Sequence, residues 1–301
     1  MRQQHLKVLI YVELAARFGS IRKAAEQLNI ASTAVNRSII AMERDLETQL
    51  FERLPRGVRL TSAGEFFVSH ARATISDFER LQGEIDDLRG LRRGRVRIAA
   101  IEAVASGLLP TLVATFQKRH PRVETKVRVD VTDQNIAALL EDEVDVAFVH
   151  NFAANTDLSV VARVQEPIFA LVRRGHPLSR KRALRLHECM EFPLVFSEGA
   201  GGGISMVERA FRRNNLRVAP ALVSNSFSFM ESYCRQTLAI SFQIGVAAKR
   251  LDLKGSLVAI PLQEPDLRSD LGVCVRKGRR LSSAVEIFVQ SVRQHFERMK
   301  A

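Results

Sequence analysis

Between Ser20 and Leu46 the chain reads "SIRKAAEQLNIASTAVNRSIIAMERDL", two helical patterns with only Asn29–Ala31 between them. Ile21, Ala24, Ala25 and Leu28 recur at helical spacing, as do Val35, Ile39, Met42 and Leu46. Ser20, directly after Gly19, is placed to cap the first of these helices. So short a turn between two helices, with alanines where they cross, predicts a helix-turn-helix. An earlier helix, with Leu6, Leu9, Val12 and Ala16 along one face, supplies the rest of a small core.

Next comes "LFERLPRGVRLT", in which Pro55 and Gly57 mark a turn between extended segments at Phe51–Leu54 and Val58–Thr61. This predicts a two-stranded wing with Arg56 at its tip. From Ser62 to Leu91 the pattern is helical throughout, with either Thr61 or the Ser62/Glu65 pair as its cap. Phe67, Ala71, Thr74, Phe78, Leu81, Ile85 and Leu88 step by four and three along it, a heptad seam broken only by Thr74. Such a seam predicts pairing with a second copy of the chain; packing on its own domain is the alternative.

The second helix of a helix-turn-helix presents its first turns to a major groove. Here that places Ser32, Thr33, Asn36 and Arg37 at base edges, where Asn can bind adenine and Arg guanine with two hydrogen bonds each. Arg22 and Lys23 on the preceding helix would reach phosphates. Arg56 would reach the minor groove, flanked by Arg53 and Arg59. The net charge of +12 agrees with an anionic partner. The first sixty residues, however, hold ten Lys/Arg against six Asp/Glu, a net of only +4, so arrangement carries the reading rather than total charge.

Beyond the basic hinge at 92–95, short β-branched runs ("VRIAA", "KVRVDV", "VDVAFVH") alternate with helical stretches at 106–119 and 134–141. Alternation of this kind predicts parallel β–α–β units. A second series ("PIFALV", "FPLVF", "APALVS", "LAISF", "LVAIPL") is followed by "LGVCVRKG" and a closing helix at 281–299. Two linked α/β lobes follow: 96–164 with 268–301, and 165–267. A cleft at the carboxyl ends of their strands is the default ligand site. Ile101, Glu102, Ala103, Thr132 and Phe152 would face it from the first lobe, and Ser197, Ser226 and Phe227 from the second. "SEGAGGGISM" sets glycines, Gly202 and Gly203 among them, before a helix start. That pattern suits a carboxylate or phosphate, or else an ordinary surface loop. A small, partly apolar organic acid is the expected ligand.

Cys189, Cys234 and Cys274 are too few and scattered for a disulfide framework or a zinc ribbon. No metal-type histidine pair, nucleophile elbow, P-loop or dinucleotide fingerprint occurs, so neither cofactor, metal nor catalytic residue is expected, and the chain reads as no enzyme. With no leader pattern and no apolar run of bilayer length, a cytoplasmic protein without a membrane partner is expected.

"GSIRKAAEQLNIASTAVNRSIIAMERDLETQLFERLPRGVRLTSAGE" resembles the N-terminal domain of the LysR-type transcriptional regulators. "SGLLPTLVATFQKRHPRVETKVRV" and "EDEVDVAFVH" resemble the first lobe of that family's effector domain. The resemblance implies an α+β bacterial regulator: a winged helix-turn-helix (1–61), a linker helix (62–91) that dimerises, and a two-lobed α/β effector domain like periplasmic binding proteins. It implies double-stranded DNA, a small-molecule effector and a second copy as partners, often in a tetramer, with RNA polymerase a further candidate. Some positions depart from the family. Ala31-Ser32-Thr33 stands where Ser-Gln-Pro is usual, suggesting that Ser32 takes over the cap and the helix starts a residue late. Asn36 replaces Ser, Glu47 and Asp142 replace Gly, and Ile101 replaces an effector-binding Ser or Thr. In the second lobe Thr237 and Ala239 replace glycines and Ile244 a proline. A solute-binding protein with an appended helical domain is the other reading, and DNA binding separates the two.

Overall fold

The structure, a computed structural model, describes residues 2–88, 94–197, 203–248, 255–264 and 267–300. The hinge expected at 92–95 lies partly, and Gly202 wholly, outside these residues. The chain divides into two compact units, residues 1–91 with Glu141–Glu143, and the remainder.

The first unit begins with α1 (Arg2–Phe18), α2 (Ile21–Leu28) and α3 (Ser32–Asp45). Val8, Val12, Ala15, Ala24, Ala25, Val35 and Ile39 form its core. The expected inner face is nearly right; the exception is Leu46, which lies past the end of α3 and is exposed. Strands β1 (Phe51–Leu54) and β2 (Gly57–Leu60) pair antiparallel into the wing, with Pro55 and Arg56 as the turn. Three backbone N–H groups anchor the wing to the helical part. The Glu43 carboxylate accepts the N–H groups of Leu50 (2.9 Å) and Phe51 (3.1 Å), and Val58 N–H donates to the Gly19 carbonyl (3.0 Å).

Helix α4 spans Ser62–Leu88. Its cap is Thr61, whose hydroxyl accepts from Gly64 N–H (3.0 Å) and donates to the Gln49 carbonyl (2.7 Å). The seam divides along its length. Ala71 is fully buried and Phe67 partly, against the unit's own helices, whereas Phe78, Leu81 and Ile85 are 41%, 46% and 40% exposed. The Leu88 side chain lies outside the description.

In the second unit the strands follow the order β4-β3-β5-β11-β6-β9-β7-β8, with β10 also on β6. The first lobe holds β3 (Gly94–Ala100), β4 (Val123–Val129) and β5 (Val146–His150), with α5 (Glu102–Ser106), α6 (Leu109–Arg119) and α7 (Thr132–Leu140). The helix expected over 106–119 is thus two helices, broken at Gly107 and Leu108. The second lobe holds α8 (Leu186–Cys189), β7 (Leu194–Ser197), α9 (Gly203–Arg213), β8 (Leu222–Ser224), α10 (Phe227–Gln236), β9 (Ile240–Ile244) and β10 (Leu257–Pro261).

Parallel pairing occurs where β–α–β units were expected, β3 with β4 and β5, and β7 with β8 and β9. The remaining ladders correct that expectation. Strand β6 (Leu158–Arg173) runs antiparallel to β11 (Arg268–Arg276) up to Pro167, then to β9 from Ile168 and to β10 from Phe169. Its first half was not foreseen because Arg163, Gln165 and Glu166 hide the apolar alternation that marks a strand. The C-terminal helix (Ser283–Lys300) sets Val285, Phe288, Val292 and Phe296 into the first lobe's core. No helix among the described residues is long and apolar enough to cross a membrane.

Candidate nucleic-acid interface and ligand cleft

The α2–α3 turn rests on Asn29, whose left-handed backbone (φ 53°) ends α2 and lets Ile30 N–H reach the Ala25 carbonyl. With Ala24 and Ala25 buried at the crossing, α3 is held close. Helix α3 begins at Ser32, not a residue later, and Ser32 is no cap. Ala31 is the cap residue, and its carbonyl takes the N–H groups of Ala34 and Val35, which closes the first turn without any hydroxyl. Ser32 and Thr33 consequently stay exposed, and neither side chain is bound to another group among the described residues.

The other expected contact residues fall into two groups. Lys23, Arg37 and Arg56 are exposed, and their side chains have no partner among the described residues. The rest are engaged: Arg22 with Glu26 at 3.3 Å, Arg59 with Glu52 across the wing, and Arg53 with Asn36. In the last pair Arg53 Nη2 donates to Asn36 Oδ1 at 2.9 Å, tying the wing to the exposed face of α3. Both flanking arginines of the wing tip are thus oriented by neighbours, and Arg56 projects between them.

Beside this head lies an apolar groove formed by Leu6, Leu9, Met42, Leu50, Phe66 and Phe67; Phe66 is 80% exposed. It is continuous with the seam of α4 through His70 and Thr74.

In the second unit a cleft of about 510 Å³ opens between the lobes. Of the residues expected there, Ile101, Glu102, Ala103, Thr132, Ser197, Ser226 and Phe227 line it. Phe152 does not. Asn151, at φ 47°, turns the chain just beyond β5. The Phe152 ring packs on Gly272, whose Cα leaves no room for a side chain, and the Arg163 guanidinium lies 5.7 Å from the ring centre. It is a plug in the first lobe's second cluster, with Leu139, Val149 and Leu158. Gly203 opens α9.

Several lining groups were not anticipated, chiefly Asp130, His150, Ile168, Met230 and Gln243. Thr132 is a wall rather than a free anchor. Its hydroxyl accepts from His150 N–H and donates to the His150 carbonyl, both at 3.2 Å, stapling α7 to the end of β5. His150 Nδ1 lies 3.3 Å from the buried Ser269 hydroxyl. Ser226 caps α10, accepting from Phe229 N–H. Asp130 Oδ1 accepts from Val131 N–H (3.0 Å), and its other oxygen meets Arg128 (3.4 Å). Among the described lining residues there is no Lys or Arg.

The thiols are placed for packing. Burial pushes Cys189 and Cys274 each up to about 12 and raises Cys234 as well, so none is a thiolate near neutral pH.

Two family descriptions match the chain: "Bacterial regulatory helix-turn-helix protein, lysR family" over residues 6–65 and "LysR substrate binding domain" over residues 89–297. The chain is 29% identical over 275 residues to an HTH-type transcriptional regulator of Escherichia coli, YbhD, covering 91% of this chain and 86% of that one. It is 27% identical over 297 residues to the RuBisCO operon transcriptional regulator of Allochromatium vinosum, covering 98% and 97%. Among solved structures, full-length OxyR of Pseudomonas aeruginosa superposes with a TM-score of 0.74 at 19% identity, over 96% of this chain and 94% of that one. Full-length CbnR bound to its target DNA superposes with a TM-score of 0.68 at 20% identity, over 96% and 99%.

Proposed function

The chain belongs to the LysR family of bacterial transcriptional regulators, and from that premise we propose that it reads a specific operator through α3 and the wing, under control of a small molecule held in the cleft. The observation that carries this reading is the unoccupied polar tip of α3. Ser32, Thr33 and Arg37 stand exposed at an uncapped helix start beside the Arg56 wing tip. A first turn with free N–H groups and short hydroxyls suits a phosphate-lined groove. In this reading Ser32, Thr33, Asn36 and Arg37 contact base edges, Arg22 and Lys23 contact phosphates, and Arg56 enters the minor groove with Arg53 and Arg59 beside it.

Two chains pair through the exposed part of the α4 seam and set two α3 helices in successive major grooves, about 10 bp apart or a multiple. Two such dimers form a tetramer on DNA, with RNA polymerase as the downstream partner, in the bacterial cytoplasm. The ligand is a small, partly apolar organic molecule. The expectation of an acid rested on residues 198–203, of which 198–202 lie outside the described residues, and the described wall carries carboxylates instead.

A gel-shift experiment with genomic fragments tests the reading. A sequence-specific shift that weakens steeply with salt is expected. No shift at any salt concentration would leave a solute-binding protein with a helical appendage.

A further inference from the structure

Gln243 lines the cleft, is only 4% exposed, and its carboxamide has no hydrogen-bond partner among the described residues. With no protein partner, that amide takes its hydrogen bonds from whatever fills the cavity, water or ligand. Glu102, on the same cavity, is half-buried and its carboxylate has neither an ion-pair nor a hydrogen-bond partner there.

The helix ends around this cavity would ordinarily welcome an anion. On the first lobe both already carry one. Glu102 stands in the first turn of α5, and Asp130 accepts the N–H of Val131 at the start of α7. Ile101, Ile168, Val195 and Met230 supply apolar wall. The chain's charge of +12 repels cations at long range, but that field is screened within about 8 Å at physiological salt. Inside the cleft the nearest carboxylate decides.

We propose that the cleft selects a ligand with a protonated nitrogen, an ammonium or amidinium, directed at Glu102, with a hydrogen-bonding group for Gln243 and an apolar body between them. This rests on the reading of the cleft as the effector site.

Calorimetry on the full chain with phenylethylamine and phenylacetate, a matched amine and acid, tests it. The amine is expected to bind at least about tenfold more tightly than the acid, and Glu102→Gln to weaken the amine about ten- to hundredfold, as loss of a charge-assisted hydrogen bond does. Gln243→Leu is a second probe of the same site, with thermal melts confirming that each variant is folded. Acid bound in preference, or amine affinity unchanged in Glu102→Gln, overturns the charge assignment while leaving the cleft as the site. Amine binding that survives Ser197→Trp, which fills the cleft, overturns the cleft reading itself. Binding of neither probe overturns the proposal.

Discussion

Asn36 Oδ1 accepts its hydrogen bond from Arg53 Nη2, a group that can only donate, so the orientation of the Asn36 amide is fixed. Reading adenine with two bonds needs that oxygen for the base N6 amine. With the pair intact, one of the two lone pairs of that oxygen is taken, which disfavours adenine against guanine O6 and N7 or thymine O4, acceptors that need only the N–H groups. A typical net hydrogen bond is worth about 0.5–1.5 kcal/mol and a bidentate base contact about 1–3 kcal/mol. Arg53 therefore biases the choice without dictating it. Selection of bound DNA fragments is expected to show the adenine share at the Asn36 position rising about two- to tenfold in Arg53→Ala, from the loss of one such bond. An identical base profile in both proteins would mean that the pair opens freely on the duplex.

The exposed stretch of α4 gives a prediction for assembly. Phe78, Leu81 and Ile85 stay well exposed and are not part of the apolar core of their own unit among the described residues. Burying each in a second helix would contribute about 1.5–3 kcal/mol. Leu81→Asp is expected to weaken self-association at least tenfold, by about that much, as read by sedimentation equilibrium, with the melting temperature of the helix-turn-helix unchanged. An unaltered dimer would place the interface elsewhere.

Gly64 is where α4 meets the wing. A Cβ there would sit 2.0 Å from the Leu50 carbonyl oxygen and 2.9 Å from Leu60 Cδ2. Because the nearer atom is backbone, the clash cannot be relieved by a rotamer change. Gly64→Ala is expected to destabilise the N-terminal unit by about 1–3 kcal/mol, the range for overpacking, as measured by denaturant unfolding. Wild-type stability would show that α4 can slide on the wing.

The second unit carries its own acid sensitivity. His176 is buried, its Nε2–H donating to the Leu238 carbonyl (3.1 Å) and its Nδ1 accepting from Leu178 N–H (3.0 Å). The bond that Nδ1 accepts needs the neutral ring. Burial pushes its proton affinity below the usual 6.5, and burial does the same to His295. The unfolded chain therefore takes up protons near pH 6.5 that the folded chain refuses, so stability falls as pH drops through that value and levels off below the folded-state pKa. Melting curves of the full chain between pH 8 and 5 are expected to show the decline, smaller in His176→Gln. A flat profile would mean that the ring is charged in the folded state.

The helix-turn-helix was legible because its core obeys one period and one punctuation mark, the left-handed Asn29. Thr61 as the cap of α4 was one of two choices that spacing alone left open. Strand β6 was only half legible: "PIFALV" in its second half reads as a strand, but Arg163, Gln165 and Glu166 break the alternation in the first half, so the period-two test missed it. At the cleft, the residues found lie at or shortly after strand ends, while Ile168 and Gln243, on strands, and Met230, inside α10, were missed. "ISFQI" alternates, but nothing in five letters says which face of β9 looks on the cavity, so Gln243 went unnoticed. Phe152 failed for a local reason, since the turn at Asn151 is invisible without its φ.

The change of ladder partner inside β6, between Pro167 and Ile168, has a mechanical corollary. The two lobes lean on one unbroken beam rather than on two slack cords. In the proposed regulator, a ligand closing the cleft would twist that beam, which favours a small rotation over a wide gape. Stiffening it would mute the signal while leaving occupancy untouched.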